Sequence, residues 1–328
     1  VARAFDGIRI IDFTQVLAGP FATAQLAHLG ADVIKIEQPG SGDQTRGLMA
    51  GSADAGMSPS FLTCNLGKRS LTLNLKAPEA QAIVHALVRT ADVVVENFTP
   101  GVMRRLGFGY ETLHALKPDL VYCSISGYGQ SGPKSAYAAY DGAIQAASGM
   151  MAITGHPDTG PMRTGYMPVD MATALNAAFV ISAALYRRRV TGDGQHLDVA
   201  MMDTAMVMQA PQVSNYLVNG VLPELFGNRS PTRAPTANVF ATADGHIQVV
   251  ALKELQVQKL FEVLGCTPQY DDPRFRTPDA RVENTPAVNE LLTRRFAGAG
   301  TQTWLERLIE ARIPVAEIRD FAAVTADP

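Results

Sequence analysis

Five short β-rich runs dominate the first 130 residues: IRIIDF (8–13), ADVIKIE (31–37), SLTLNL (70–75), ADVVVENF (91–98) and DLVYCSISGYG (119–129). Helical patterns lie between several of them: FATAQLAHLG, APEAQAIVHALVRT and YETLHALK. Strand–helix–strand alternation predicts an α/β fold, a mostly parallel sheet with helices on both faces. The runs VIKI and DVVV are nearly continuous apolar, the pattern of strands buried on both sides.

The chain has 328 residues, enough for a large core and more in keeping with two domains than one. The tract APQVSNYLVNGVLPELFGNRSPTRAP changes character, with Pro, Asn and Gly in place of periodic apolar residues. The expected organisation is a large domain over 1–209, a linker over 210–235 and a small domain over 236–328. ANVFATADGHIQVVAL opens the small domain as two strands around the tight turn Ala243-Asp244-Gly245, and LQVQKLFEVLG and TWLERLIEAR read as helices. In the large domain an Ala-rich helix follows Asp170 and ends at TGDGQ, and HLDVAMM reads as one more strand.

Hydrophobic residues make up 47% and charged residues 18%, the balance of a soluble globular protein. A net charge of −3 gives no reason to expect a nucleic-acid partner. Cys64, Cys123 and Cys266 have neither metal nor redox spacing, which suits a reducing cytoplasm. No signal peptide is evident, and the first residue is Val1, so a trimmed start is expected. The run MATALNAAFVISAALY (171–186) is shorter than the ~20 apolar residues of a membrane span, so a buried core helix is expected, with Arg187, Arg188 and Arg189 complementing its dipole.

The first strand is followed by DFTQVLAGPFA, which lacks the Gly-x-Gly-x-x-Gly of a dinucleotide fold, and neither a P-loop nor a metal-ligand spacing occurs. His28, His85 and His114 fall in helical patterns and read as surface or core residues. Three loops after strands carry polar groups: 37–47, 65–78 with Lys68, Arg69 and Lys76, and 96–107 with Asn97, Arg104 and Arg105. Ligands of open α/β sheets bind beyond the C-terminal strand ends, and cations near helix N-termini suit phosphate. Solvated surface charges explain any one loop as well, and three loops together leave the two readings balanced. Asp170, in RTGYMPVDMATALNAAF, is ambiguous in the same way: an Asp at a helix start is a good N-cap, and a carboxylate among apolar neighbours is also a candidate nucleophile.

The motifs GIRIIDFTQVLAGPFATAQLAHLGADVIKIEQPGSGDQTRG, NLGKRSLTLNLK, VVVENFTPGVMRRLGFGYETL, SISGYGQSGP, YDGAIQAASG, VDMATALNAA and GDGQHLDVAMMD follow one another over residues 7–204. In content and order they resemble the class III CoA-transferase family, that of formyl-CoA transferase and the carnitine CoA-transferases. ATADGHIQVVAL and EARIPVAEIRD resemble the family's small domain. The resemblance implies a large Rossmann-like domain and a smaller α+β domain joined by linkers, in dimers whose subunits interlock. It implies a return of the chain to the large domain after the small one, a segment expected to be missing beyond Pro328.

It further implies that Asp170 is the catalytic aspartate. Gln15, Tyr140 and Asp141 would lie near the reacting acyl group. Coenzyme A would meet Val16, Ala18, Gln38, Leu73, Lys76, Asn97, Phe98, Arg105 and Ala138. The substrates would be an acyl-CoA and a small carboxylic acid, with coenzyme A as part of a substrate and no resident cofactor or metal. Two departures remove cations: Gln38 where the family often has Arg, and Ala138 where formyl-CoA transferase has Lys. ELFGNRSPTRAP stands in place of that enzyme's glycine-rich loop, which argues against formate or oxalate as main substrate. Short dicarboxylates such as succinate are common donors in the family; Arg163 and Arg229 either meet a distal carboxylate or are surface residues.

One rival is the α-methylacyl-CoA racemase type, which resembles the same fold but uses a His in GHD; here the triplet is Ala139-Tyr140-Asp141, and Tyr is a poor neutral-pH base. Another is a non-catalytic CoA-binding paralogue, against which the intact Asp170 stands. The missing glycine fingerprint argues strongly against a nicotinamide dehydrogenase.

Overall fold

The computed structural model describes residues 2–48 and 57–327. They divide into two compact units, one of residues up to Ala152 together with Arg163–Pro223, the other of Ile153–Met162 and the residues from Glu224 onward.

The first unit is built on six parallel strands: β1 (Arg9–Asp12), β2 (Asp32–Glu37), β3 (Arg69–Thr72), β4 (Val93–Glu96), β5 (Val121–Ser126) and β6 (Gln195–Ala200). Their order is β3-β2-β1-β4-β5-β6. The chain builds outward from β1 to β3, then crosses back to lay β4 on the other side of β1. The crevice between the ends of β1 and β4 is therefore the topological switch point, where open α/β sheets bind ligands.

Both faces of the sheet are covered, as the apolar runs require. One face packs Val93, Val95, Val121 and Cys123 against helix α1 (Ala18–His28) and the later long helix. The other packs Ile11, Val94 and Tyr122 against Val84 and Leu113 of helices Pro78–Val88 and Tyr110–Leu116. Three further helices matter to the site: α2 (Asp141–Ala147), α3 (Pro168–Thr191) and α4 (Met201–Met208).

The long helix departs from its expected length. It starts at Pro168, whose fixed φ suits a first turn, and ends at Gly192 with φ 84°, a left-handed C-cap. Over its 24 residues it is long and apolar enough to cross a membrane by length and composition. Ala174, Ala177, Ile181 and Ala184 are nevertheless buried against α1 and the sheet, as in the core helix of an α/β layer.

The stretch expected as a linker is partly regular. Residues Ala210–Asn219 form helix α5, with Pro211 in its first turn and Gly220 at φ 68° closing it. Pro and Gly here punctuate a helix rather than mark a loop.

The second unit holds an antiparallel sheet in the order β9-β8-β7, with β7 (Ala237–Ala241), β8 (His246–Val250) and β9 (Val315–Glu317). Strands β7 and β8 form the expected hairpin, with Ala241 opposite His246. Helices α6 (Glu254–Val263), α7 (Thr285–Phe296) and α8 (Thr301–Glu310) pack Phe261, Phe296 and Trp304 onto Phe240 and Val249. The indole of Trp304 donates to the carbonyl of Phe296 at 2.7 Å. A two-residue ladder between Gly155–His156 and Gly160–Pro161 also belongs to this unit, although the sequence reading assigned 153–162 to the large domain.

Candidate active site

The switch point is lined by loops that follow β1, β2, β3 and β4. Directly after β1 the chain turns through Thr14-Gln15-Val16. Val16 has φ 72°, a conformation that a β-branched residue adopts at a cost of ~1–3 kcal/mol. The turn is held from both neighbouring strands. The Asn97 side chain accepts from the Gln15 amide at 2.8 Å and donates to the Gln15 carbonyl at 2.8 Å, bridging the ends of β1 and β4. Lys35 donates to the Thr14 carbonyl at 2.6 Å, and the Val16 amide points at the Asp43 carboxylate at 3.3 and 3.4 Å.

Two buried ion pairs lie beneath this turn. Lys35 meets Asp43 at 2.9 Å, and Lys68 meets Asp12 at 2.9 Å. Burial alone would raise the Asp12 carboxyl, but Lys68, Lys35 and the hydroxyls of Thr14 and Thr23 hold it at about 2. Gly19 is required for this packing, since a Cβ there would stand 2.4 Å from Cβ of Thr14.

Two adjoining cavities open at the strand ends. One, of about 510 Å³, is walled by Val16, Ala18, Asn97, Ala138, Tyr140 and Asp170. The other, of about 500 Å³, is walled by Leu73, Lys76, Val102 and Leu106. Gln15, Gln38 and Phe98 border both. Helix α1 begins in the wall of the first cavity with no side-chain cap at Leu17, and a helix start without a cap favours an anion beside it.

Asp170 is the third residue of α3, not its cap. The cap is supplied from another helix. Asp141, buried at the start of α2, accepts from the amides of Val169 at 2.9 Å and Asp170 at 3.1 Å. Its second oxygen accepts from the Gln145 side chain at 2.5 Å, and Gln145 in turn accepts from the Thr164 amide at 3.1 Å. The Asp170 carboxylate has no hydrogen-bond partner among the described residues. Burial first, and the charge of Asp141 second, push its carboxyl up to about 7. A carboxylate that is poorly solvated and unpaired at a cavity wall is equipped for nucleophilic attack.

The structure thus brings most of the sequence-selected residues together. Gln15, Val16, Ala18, Gln38, Asn97, Phe98, Ala138, Tyr140 and Asp170 share the first cavity, and Leu73 and Lys76 the second. Asp141 stands behind the wall rather than in it. Arg105 is exposed on the short helix Val102–Arg105 and lines neither cavity. Of the cations expected to meet phosphate, Lys68 is consumed in the buried pair with Asp12, and Arg69 pairs with Asp32 at 2.5 Å. Lys76 is the exposed cation of that loop bordering a cavity. Arg163 is exposed, with its guanidinium 3.8 Å from the Cβ position of Gly142. Arg229, in the second unit, donates to the Phe226 carbonyl at 3.3 Å and lies over that ring.

Sequence reasoning missed Lys35 and Asp43. The signal was there: a lysine inside the otherwise apolar run VIKI has to find a buried partner.

The family model described as CoA-transferase family III matches residues 5–328. The succinate–glutarate CoA-transferase of Agrobacterium fabrum is 39% identical over 328 residues, 98% of this chain and 82% of that protein. The acetyl-CoA:oxalate CoA-transferase of Acetobacter aceti is 40% identical, over 97% of this chain and 81% of its own length. The crystal structure of a CAIB/BAIF family protein from Brucella suis matches with a TM-score of 0.90 and 37% identity, over all of this chain and 87% of that one.

Proposed function

The chain belongs to CoA-transferase family III and is a class III CoA-transferase, and we propose that it moves coenzyme A between short carboxylic acids through covalent intermediates on Asp170. The observation that carries this reading is the Asp170 carboxylate, unpaired at the wall of the first cavity and pushed up to about 7.

The steps balance without another base. The Asp170 carboxylate attacks the thioester carbonyl, and the carbon–sulfur bond breaks to release CoA thiolate and leave a mixed anhydride. The thiolate attacks the aspartyl carbonyl of that anhydride and expels the first acid as its carboxylate, giving an aspartyl-CoA thioester. The acceptor carboxylate then attacks this thioester, and the same two steps run in reverse. Amides at the start of α1 are available to stabilise the oxyanion or a substrate phosphate.

The relatives named for succinate, glutarate and oxalate support short dicarboxylates as the acids. Oxalate is retained among the candidates on this ground, despite the missing glycine-rich loop. Arg163 stands beside Gly142, the residue after Asp141, and we assign it to the distal carboxylate.

Attack requires ionised Asp170, so kcat/KM should rise with pH through about 7 and level off above it. Below that limb it should fall about tenfold per pH unit. The measurement is a panel of succinyl-CoA and acetyl-CoA against succinate, glutarate and oxalate, run from about pH 5 to 9. Transfer to no acid in the panel would overturn the substrate class, and a rate independent of pH would overturn the role of Asp170.

We also propose a homodimer. Leu175, Phe179, Tyr186 and Val190 lie within about 60° of arc on α3 and are 55, 70, 72 and 69% exposed. Leu217 and Val218 of α5 are exposed at 74 and 79%. An apolar stripe of this kind calls for a partner surface. Light scattering is expected to give twice the chain mass, and Phe179→Asp with Tyr186→Asp to reduce it to a monomer. A wild-type monomer would contradict this.

A further inference from the structure

Resting on that reading of the site, we propose that the buried pair Lys35–Asp43 are positioning residues that fix the Gln15–Val16 turn as one wall of the acyl cavity. Neither side chain reaches a cavity: Lys35 is 1% and Asp43 0% exposed. Neither has a part in moving the acyl group.

Their geometry shows what they do hold. Every backbone polar group from the Thr14 amide to the Val16 amide has a side-chain partner. The Thr14 amide donates to Asp12 at 2.9 Å, and the Thr14 carbonyl accepts from Lys35 at 2.6 Å. The Gln15 amide and carbonyl both meet Asn97 at 2.8 Å. The Val16 amide is shared between the two oxygens of Asp43. Lys35 and Asp43 therefore grip the turn on either side of Gln15, while Asn97 grips its middle.

Asp43 is itself fixed. Its amide donates to Glu37 at 2.9 Å, and its Oδ1 accepts from the amide and hydroxyl of Thr45 at 2.9 and 2.8 Å. Glu37 is locked by Arg46 at 2.6 Å and Ser70 at 2.5 Å. The grip on Val16 is thus anchored at the end of β2 and, through Ser70, to β3.

A buried ion pair is not the cheapest way to stabilise a core, since apolar residues of similar volume often do as well. A left-handed valine is likewise disfavoured, and persists where its surroundings over-determine it. The two occur together, each supplying what the other lacks: the turn offers a carbonyl and an amide to desolvated charges, and the charges hold the turn in place. Gln15 and Val16 border the same cavity as Asp170. Displacing them by about 1 Å is enough to cost a reaction of this kind ~100-fold.

The test compares two variants in which the buried charge is removed and one acceptor differs. Lys35→Met with Asp43→Asn keeps an oxygen for the Val16 amide, whereas Lys35→Met with Asp43→Leu does not. Both are measured for kcat, KM and melting, and again after Val16→Gly, which makes the left-handed conformation free of steric cost. The expected result is a kcat about tenfold or more lower for the Leu variant than for the Asn variant, a gap that shrinks below about threefold in the Val16→Gly background. Equal kcat in the two variants, or a gap unchanged by Val16→Gly, would assign the pair a purely structural role. If the Leu variant does not fold, amide exchange of the 14–18 peptide in the wild type decides. The Val16 amide should exchange far more slowly than the amides of exposed Lys134 and Ala136, and equally fast exchange would overturn the proposal. Failure of the functional reading itself is distinct: the wild type would then transfer CoA to no acid.

Discussion

Asp170→Ala is expected to lower kcat on the order of 10⁴-fold or more, because the proposed covalent route is lost with its nucleophile. The same change should not destabilise the fold. The Asp170 carboxylate accepts no hydrogen bond in the described structure, and the first-turn amides of α3 are satisfied by Asp141. A folded-state value raised from 3.8 to about 7 means that ionised Asp170 opposes folding. The cost is absent below about pH 4, grows as pH rises toward 7, and is complete above it, at up to ~4 kcal/mol. Asp170→Asn should therefore unfold at higher denaturant than the wild type at pH 8, with the difference vanishing toward pH 4. An N-cap aspartate predicts the opposite sign, a loss of ~0.5–2 kcal/mol on substitution. Denaturant curves of the wild type and the Asn variant at the two pH values separate the cases, and an activity assay of the Ala variant completes the test.

Asp141→Ala is expected to give the second largest effect, and unlike the first it should damage both fold and activity. It removes the acceptor of two amides of α3 and the partner of Gln145, all of them buried or half-buried. Orphaned donors cost ~1–3 kcal/mol each, so with three of them a loss of about 3 kcal/mol or more is expected. The start of α3 then loses its anchor, and displacement of Asp170 by about 1 Å should cost ~100-fold in kcat. Asp141→Asn isolates the charge. It retains an oxygen for the two amides, at the expense of one amide group facing the Gln145 amide. Removing the negative charge removes one of the two causes that raise Asp170, so the acidic limb of kcat/KM should move to lower pH. A limb that stays in place would mean that Asp141 acts through geometry alone.

The layout of the first unit was legible because its strands are buried on both faces. Val93-Val94-Val95 leaves no polar side to be confused with a loop, and each run is separated from the next by a helix-length segment. The poor solvation of Asp170 was legible from its apolar neighbours. Its exact role at the helix start was not, because Pro168 begins the helix two residues earlier and the capping carboxylate comes from residue 141, 29 positions away. Lys68 illustrates the limit of reading charges as ligand contacts. A lysine in a loop can be solvated, ligand-bound or buried, and the buried partner Asp12 lies 56 residues upstream in a strand that looked purely structural. The helix over Ala210–Asn219 was missed for a local reason: Pro211 and Gly220 sit at its two ends, where they favour the helix, and Asn and Pro content pointed to a linker. The ladder at 155–161 is too short for any period-two signal to register.

The covalent route through Asp170 is tested most directly by trapping. Wild-type protein is incubated with an acyl-CoA that it is shown to turn over, the acceptor acid is withheld, and the mixture is quenched with hydroxylamine or borohydride. Peptide mass spectrometry should then find a hydroxamate, or the corresponding alcohol, on the side chain of Asp170, and on no other carboxylate of the cavity. An unmodified Asp170 peptide from a sample that is turning over, together with an Asp170→Ala protein that still transfers CoA, would contradict the mechanism.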